Sequence, residues 1–205
     1  MGDFMKYDFN LEDRSKKYKA ILIQVIITLA EIAVVVFAAY AVTHYGLEKM
    51  SISGDYMNPT LEDGDDVLVN KMSYVISSIK RNDVIVIKQD GSGHSYYSVA
   101  RVMGLPGETV QIKDGYLYIN GSQLDEKYNF PVMDNGGLAL ENIVLDEDEY
   151  FVLCDNRNEG EDSRNANTGN ILKKNIVGKA WLRTNSLAVI NSINKFGEDN
   201  SSGKD

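Results

Sequence analysis

A chain of 205 residues that is 43% hydrophobic and 25% charged can bury one compact domain beside an anchor, and does not read as globally disordered. Its net charge of −9, with no basic stripe interleaved with aromatics, argues against a nucleic-acid partner. One cysteine, Cys154, rules out a disulfide framework within the chain, and the two histidines, His44 and His94, leave almost no material for a His-based triad or a Cys/His zinc site. No cofactor and no metal are implied.

Residues 1–19 read as a short N-terminus ending in Arg14, Lys16, Lys17 and Lys19. Residues 20–42, AILIQVIITLAEIAVVVFAAYAV, are interrupted only by Gln24, Thr28 and Glu31. At about 1.5 Å per residue such a helix crosses a hydrocarbon core of roughly 30 Å, so the run predicts a transmembrane helix. A core helix of a soluble domain would be apolar on one face only. A cleaved export signal would be shorter and would close on a small-residue site. Glu31 falls mid-span, where a carboxylate costs on the order of 3 kcal/mol; it is expected to be protonated or to face a second membrane protein. The basic cluster precedes the span and only Lys49 follows closely, which predicts a single pass through the cell membrane with the N-terminus cytoplasmic. The acidic exported part would not cling to anionic lipid by charge, so any closer docking must be hydrophobic.

The exported domain is expected over residues 43–196. A linker (43–50) leads into β-branched runs at Asp66–Lys71, Asp83–Lys88 and Tyr96–Met103, with loop chemistry between the last two at residues 89–94. Thr109–Ile112 and Tyr116–Ile119 flank Lys113-Asp114-Gly115, a hairpin signal, and Asn120-Gly121 supplies the next turn. Residues 122–148 are less regular and end in an acidic stretch that reads as a solvated turn. Tyr150–Cys154 and Ile176–Arg183 return to strand character around a polar loop at 156–170. Residues 197–205 are a polar tail without the hydrophobicity to fold. The fold class is therefore mainly β and antiparallel, with one N-terminal helix.

Four segments of this domain, in order, resemble the type I signal peptidase family. The first is Ser53-Gly54-Asp55-Tyr56-Met57-Asn58-Pro59-Thr60-Leu61, where the family has Gly, any residue, Ser, Met, any residue, Pro, Thr. The second is Gly64–Lys71 with Arg81-Asn82-Asp83-Val84. The third, Ala100-Arg101-Val102-Met103-Gly104-Leu105-Pro106-Gly107, is similar to the family's Lys-Arg-Val-Ile-Gly-Leu-Pro-Gly. The fourth is Cys154-Asp155-Asn156-Arg157 with Asp162-Ser163-Arg164, the family's Gly-Asp-Asn-Arg…Asp-Ser-Arg. The resemblance implies an antiparallel β domain held by one helix at the outer membrane face, where the family removes export signals from polypeptides.

In that family a serine hydroxyl attacks the peptide carbonyl and a lysine takes its proton. The hydroxyl is a weak nucleophile without a base at about 2.6–3.2 Å, and a lysine serves as that base only when burial lowers its pKa from about 10.4. Carried over position by position, the nucleophile is Tyr56, the base is Ala100, and Gly160 stands where a serine supports the lysine. Tyr56 holds its oxygen several ångströms farther from the backbone than a serine would, and a misplacement of about 1 Å can cost 10²-fold in rate. Loss of nucleophile or base costs on the order of 10⁶. Ser53 and Ser98 lie near the changed positions but have no evident base, and Lys71 and Lys88 read as solvated strand-end lysines. Cys154 reads as a small buried residue in place of the family's glycine, and no histidine beside it would activate a thiol.

By the same resemblance, Ser53, Gly54, Tyr56, Met57, Pro59, Val99 and Ala100 are expected along the groove that takes substrate as an added β-strand. Arg101, Asp155, Arg157, Asp162, Ser163 and Arg164 are expected to support the site; read from the residues alone, they hold the β domain together. The sequence thus predicts a non-catalytic homologue that binds an exported polypeptide or signal-peptide segment, in the manner of the accessory factors for pilus assembly that lack both residues. Two alternatives are an active signal peptidase with an unrecognised nucleophile, and a structural subunit paired with an active peptidase through the Glu31-bearing helix.

Overall fold

The computed structural model describes residues 4–90, 95–126 and 128–190, so the tail expected at 197–205 and most of the loop expected at 89–94 lie outside the described residues. The chain divides into two compact units, the first ending at Tyr45 and the second beginning at Gly46.

The first unit is helix α1, Phe4–Gly46. No glycine or proline interrupts residues 4–45, and the helix ends at a glycine, the residue that most readily leaves helical geometry. Within residues 14–42 an 18-residue stretch reaches mean hydropathy 2.6, and the segment is long and apolar enough to cross a membrane. Val34, Val35, Val36 and Phe37 are all exposed, so the apolar surface runs right round the helix, and Glu31 lies exposed within it. The linker expected at 43–50 is not one. Its first residues complete α1, and Leu47–Ser51 forms strand β1. Leu-Glu-Lys-Met-Ser has weak β propensity; pairing with β2 (Asp66–Asn70) at five positions makes it a strand.

In the second unit β2 is followed by one helical turn, α2 (Ser73–Ile76), then β3 (Val84–Asp90) and β4 (Ser95–Gly104). The strands β5 (Thr109–Lys113), β6 (Tyr116–Ile119), β7 (Ser122–Gln123) and β8 (Ile143–Val144) build a smaller sheet in the order β7-β6-β5-β8. The chain returns through β9 (Glu149–Leu153), β10 (Ile171–Leu172), β11 (Ile176–Arg183) and β12 (Ala188–Val189). The larger sheet runs β1-β2-β11-β3-β4-β9-β10 with β12 on β11, and every ladder described is antiparallel.

Strand β3 lies inside the larger sheet and is covered on both faces. Val84 and Val86 face a core with Met57, Leu61, Val67 and Val69, while Ile85 and Ile87 face another with Ala100, Val102 and Val152. Burial on both sides removes any polar alternation, hence the unbroken Val-Ile-Val-Ile run. A third core holds Met103, Val110, Leu117, Phe151 and Leu153, from β4 and β9 of the larger sheet and β5 and β6 of the smaller one. Gly104 sits at that junction: a Cβ there would lie 2.7–2.8 Å from Val110, Leu145 and Phe151. Beside it the β4–β9 register shifts between Val102 and Gly104.

Candidate functional site

Segment 52–65 is a closed loop. Ile52 N donates to Asp65 O at 2.8 Å and Gly64 N to Ile52 O at 3.0 Å, while buried Met57 and Leu61 fix its middle to the core. Within it, Gly54 has φ +88°, a conformation side chains rarely adopt, and its N–H donates to Asp63 Oδ1 at 2.7 Å. The Tyr56 ring folds back over Gly54; a Cβ at position 54 would lie 2.9 Å from the ring's Cε2. Asn156 N donates to Tyr56 O at 3.0 Å, tying the loop to the segment after β9.

This loop forms one wall of a groove of about 560 Å³, and the start of β4 forms another. Ser53, Gly54, Tyr56, Met57 and Val99 line the groove, together with Tyr96, Tyr97, Ser98, Cys154 and Glu161. Of the residues expected there, Pro59 and Ala100 are not in the lining; Ala100 is buried among Ile85, Val102 and Val152. Lys71 pairs with Glu48 at 2.5 Å, Lys88 is exposed, and neither lines the groove. Among the described residues, no lysine, arginine or histidine lines it. Two backbone edges face the space. β1 is the outermost strand of its sheet, and β4 pairs with β3 along 95–101 but with β9 only from Arg101 onward.

Cys154 and Gly160 share one volume. A Cβ at position 160 would fall on Cys154 Sγ, 2.6 Å from Cys154 Cβ and 3.6 Å from Tyr56 Cβ. Burial pushes the Cys154 thiol up to about 12, with Asp162 adding to the shift, so the sulfur stays protonated at neutral pH. Cys154 Sγ lies 3.7 Å from Glu161 O.

Behind the groove lies a buried ionic network. Arg101 grips Asp155 with both arms, Nε to Oδ1 at 2.7 Å and Nη2 to Oδ2 at 2.6 Å, and donates to Asn82 O at 2.8 Å. Thr60 donates its hydroxyl to Asp155 Oδ2, so the loop bearing Tyr56 is bolted to the same carboxylate. Arg164 pairs in the same bidentate way with Asp162, at 2.9 Å for each bond, and Asp162 Oδ2 also accepts Cys154 N at 3.0 Å. Ser163 Oγ accepts Val152 N at 2.9 Å. Arg157 pairs with Glu126, and its guanidinium stacks 4.1 Å from the Phe130 ring centre; Arg101 lies 4.8 Å from that of Tyr128. Among the described residues, no group of three or more His, Cys, Asp or Glu is placed to hold a metal ion.

A family model described as "Signal peptidase, peptidase S26" matches residues 23–184. The chain belongs to the signal peptidase family. Signal peptidase I T of Bacillus subtilis (strain 168) is 38% identical to it over 154 residues, 72% of this chain and 78% of that one. Signal peptidase I of Bacillus licheniformis is 37% identical over 154 residues, 72% of this chain and 81% of that one. A solved signal peptidase I from Enterococcus faecalis V583 is 30% identical, covers 50% of this chain and 97% of that one, and has a TM-score of 0.40.

In this signal peptidase family member, the four segments singled out in the sequence converge in space. The first supplies the loop, the third Arg101 and the fourth Asp155, and the second adds Asn82 as an acceptor. Sequence reasoning missed the stretch that covers the arginines. Glu126, Tyr128 and Phe130 come from the segment read as irregular. The available signal was an acid and two aromatics, spaced by alternate residues, in a chain whose Arg101 and Arg157 were already expected to support the site.

Proposed function

We propose that this chain is a membrane-anchored, non-catalytic signal peptidase homologue that binds an extended segment of an exported polypeptide at the outer face of the cell membrane. One observation carries the reading: the groove keeps two unpaired strand edges but has no basic side chain among its described lining residues. Backbone edges can take up a peptide as an added strand without any catalytic group. Ser51, Ser53 and Ser98 line the same space. The Ser51 hydroxyl donates to Asp66 Oδ1 at 2.5 Å, a carboxylate held in its charged form by Lys49 and so a weak base, and no basic side chain of the lining serves the other two. The Cys154 thiol offers no substitute while it stays protonated. Positions 56, 100 and 160 are read as the degenerate nucleophile, base and base-support, with the Arg101–Asp155 and Arg164–Asp162 pairs retained as scaffold. The basic cluster before the apolar run supports a cytoplasmic N-terminus and a β unit outside.

A second reading, an active signal peptidase, draws support from the names of relatives 37–38% identical. The deciding assay is cleavage of a precursor with an Ala-X-Ala site by the full chain in detergent. The wild type is compared with Tyr56→Ser/Ala100→Lys, and with that pair combined with Cys154→Gly and Gly160→Ser. The binder reading expects an inert wild type that nonetheless protects or crosslinks the precursor, and cleavage in the fourfold variant. Cleavage by wild type that survives removal of contaminating peptidase overturns it.

A further inference from the structure

The polar residues inside the apolar run of α1 fall on one face. Gln24, Thr28 and Glu31 follow at spacings of four and three, so they lie within about 60° of one another round the helix. The same alternation of four and three continues to Val35, Ala38 and Val42, the seam spacing of helices that pair with a left-handed twist. All of these positions are exposed. Thr28 donates its hydroxyl to Gln24 O at 3.0 Å, but neither the Gln24 amide nor the Glu31 carboxyl meets a partner among the described residues. Polar groups left so in hydrocarbon are costly, and in membrane spans they characteristically face another helix.

The kind of partner follows from what these side chains carry. An amide holds a donor and an acceptor, and so does a neutral carboxyl, so each can pair with a copy of itself without any opposite charge. Every copy of this chain enters the membrane in the same sense, since the basic cluster precedes the run in each. Two copies are therefore parallel. A two-fold axis between them sets identical residues at one depth, amide against amide and carboxyl against carboxyl. Ala38, a small residue farther along the seam, lets the two backbones approach there.

We infer that α1 is a dimerisation helix: two copies of this chain pair in the bilayer along the face of Gln24, Thr28 and Glu31. The inference rests on the anchor reading above and adds a role for the anchor beyond holding the folded unit at the membrane. The mid-span carboxyl then becomes the contact that selects the partner, and each dimer brings two peptide grooves into one assembly.

The test uses the full chain in phosphatidylcholine liposomes at a high lipid-to-protein ratio. Single cysteines replace Ala38 and Val42 on the seam, and Tyr40, which lies about 160° round the helix from Gln24. Cys154 is buried with its thiol pushed up to about 12, and stays out of the reaction in the folded unit. Oxidation by iodine, which enters lipid, is expected to join copies through Ala38→Cys and Val42→Cys but not through Tyr40→Cys. A second readout is energy transfer between donor- and acceptor-labelled copies, coupled at Tyr116→Cys and diluted with lipid. Glu31→Leu should weaken dimerisation about 5- to 30-fold, the worth of a hydrogen bond between helices in lipid. Glu31→Gln keeps a donor and an acceptor and should retain the dimer. Because Glu31→Leu makes the span more apolar, failed insertion does not explain such a loss. Absence of energy transfer at every dilution, equal crosslinking at all three positions, or a dimer indifferent to Glu31→Leu overturns the inference and leaves the anchor standing. Loss in Glu31→Gln equal to that in Glu31→Leu shows that a charge is needed, and overturns self-pairing. A purified chain that stays monomeric, while a different membrane protein copurifies with wild type but not with Glu31→Leu, shows a heterologous partner and overturns it as well. If alkaline carbonate strips the chain from the liposomes, the anchor reading fails and the inference falls with it.

Discussion

At Gly160 and Cys154, two residues six positions apart occupy space that one side chain would fill. A change at either position is therefore felt at the other in packing terms, although the two read as separate sites in the sequence. Gly160→Ser alone would press a side chain onto the Cys154 sulfur and is expected to destabilise the folded unit by about 1–3 kcal/mol. Cys154→Gly opens the same volume, so Cys154→Gly/Gly160→Ser should be less destabilised than the sum of its parts, with a coupling of about 0.5–3 kcal/mol. Chemical denaturation of the four chains closes this cycle, and strictly additive costs would show that the two side chains do not share the site. The cycle also bears on the cleavage assay. With the sulfur left in place, Tyr56→Ser/Ala100→Lys would leave no room for a side chain at 160.

Among the elements, the loop at 52–65 and the segment after β9 are joined by Asp155, and Arg101 joins both to β4. A charge pair this deeply buried costs so much to desolvate that its presence is no measure of stability, but removing one partner is expensive. Asp155→Ala strands the Arg101 guanidinium and is expected to cost about 3–5 kcal/mol, read as a lowered denaturation midpoint with an unchanged slope. The loss should also loosen the Tyr56 loop through Thr60, seen as faster amide exchange at Met57 and Leu61. A change below about 1 kcal/mol would mean that solvent reaches this pair. Legibility in the sequence follows the same division. β3 could be read because burial on both faces leaves a continuous β-branched run, and the β5–β6 hairpin because Asp114 and Gly115 both take the positive φ that such a turn needs. β1 could not, because its strand character comes from a partner about twenty residues away. The Arg and Asp members of the network stand in tight motifs and were visible. Glu126, Tyr128 and Phe130 were not, since only the tertiary fold brings an irregular segment over the guanidiniums.

For the folded unit as a whole, the resolved titration shifts are lopsided. On the acid side, hydrogen bonds from Lys49 and Ser51 hold the Asp66 carboxyl below its ordinary 3.8, at a site exposed enough for water to screen it. On the alkaline side stand three groups on separate elements. Burial raises the Cys154 thiol from 9.0 to about 12, burial and Asp83 raise the Tyr74 hydroxyl, and burial and Asp148 raise that of Tyr150. In each case the folded chain holds its proton more tightly than the unfolded chain does. The stabilisation is complete below the unfolded pKa values, near 9 and 10, and is lost as pH rises through the folded ones. The folded unit should therefore weaken steadily above about pH 9, with no matching loss between pH 5 and 8 from these groups. Urea midpoints at pH 8 and pH 10.5, for wild type, Cys154→Ala and Tyr74→Phe, separate this from simple loss of contacts. A lost contact lowers both midpoints equally, whereas a lost titration narrows the gap between them. The narrowing should be largest for Cys154→Ala, because at pH 10.5 an unfolded thiol with its ordinary value of 9.0 is more fully ionised than an unfolded phenol with 10.0, and a gap unchanged in both variants would place the alkaline sensitivity elsewhere.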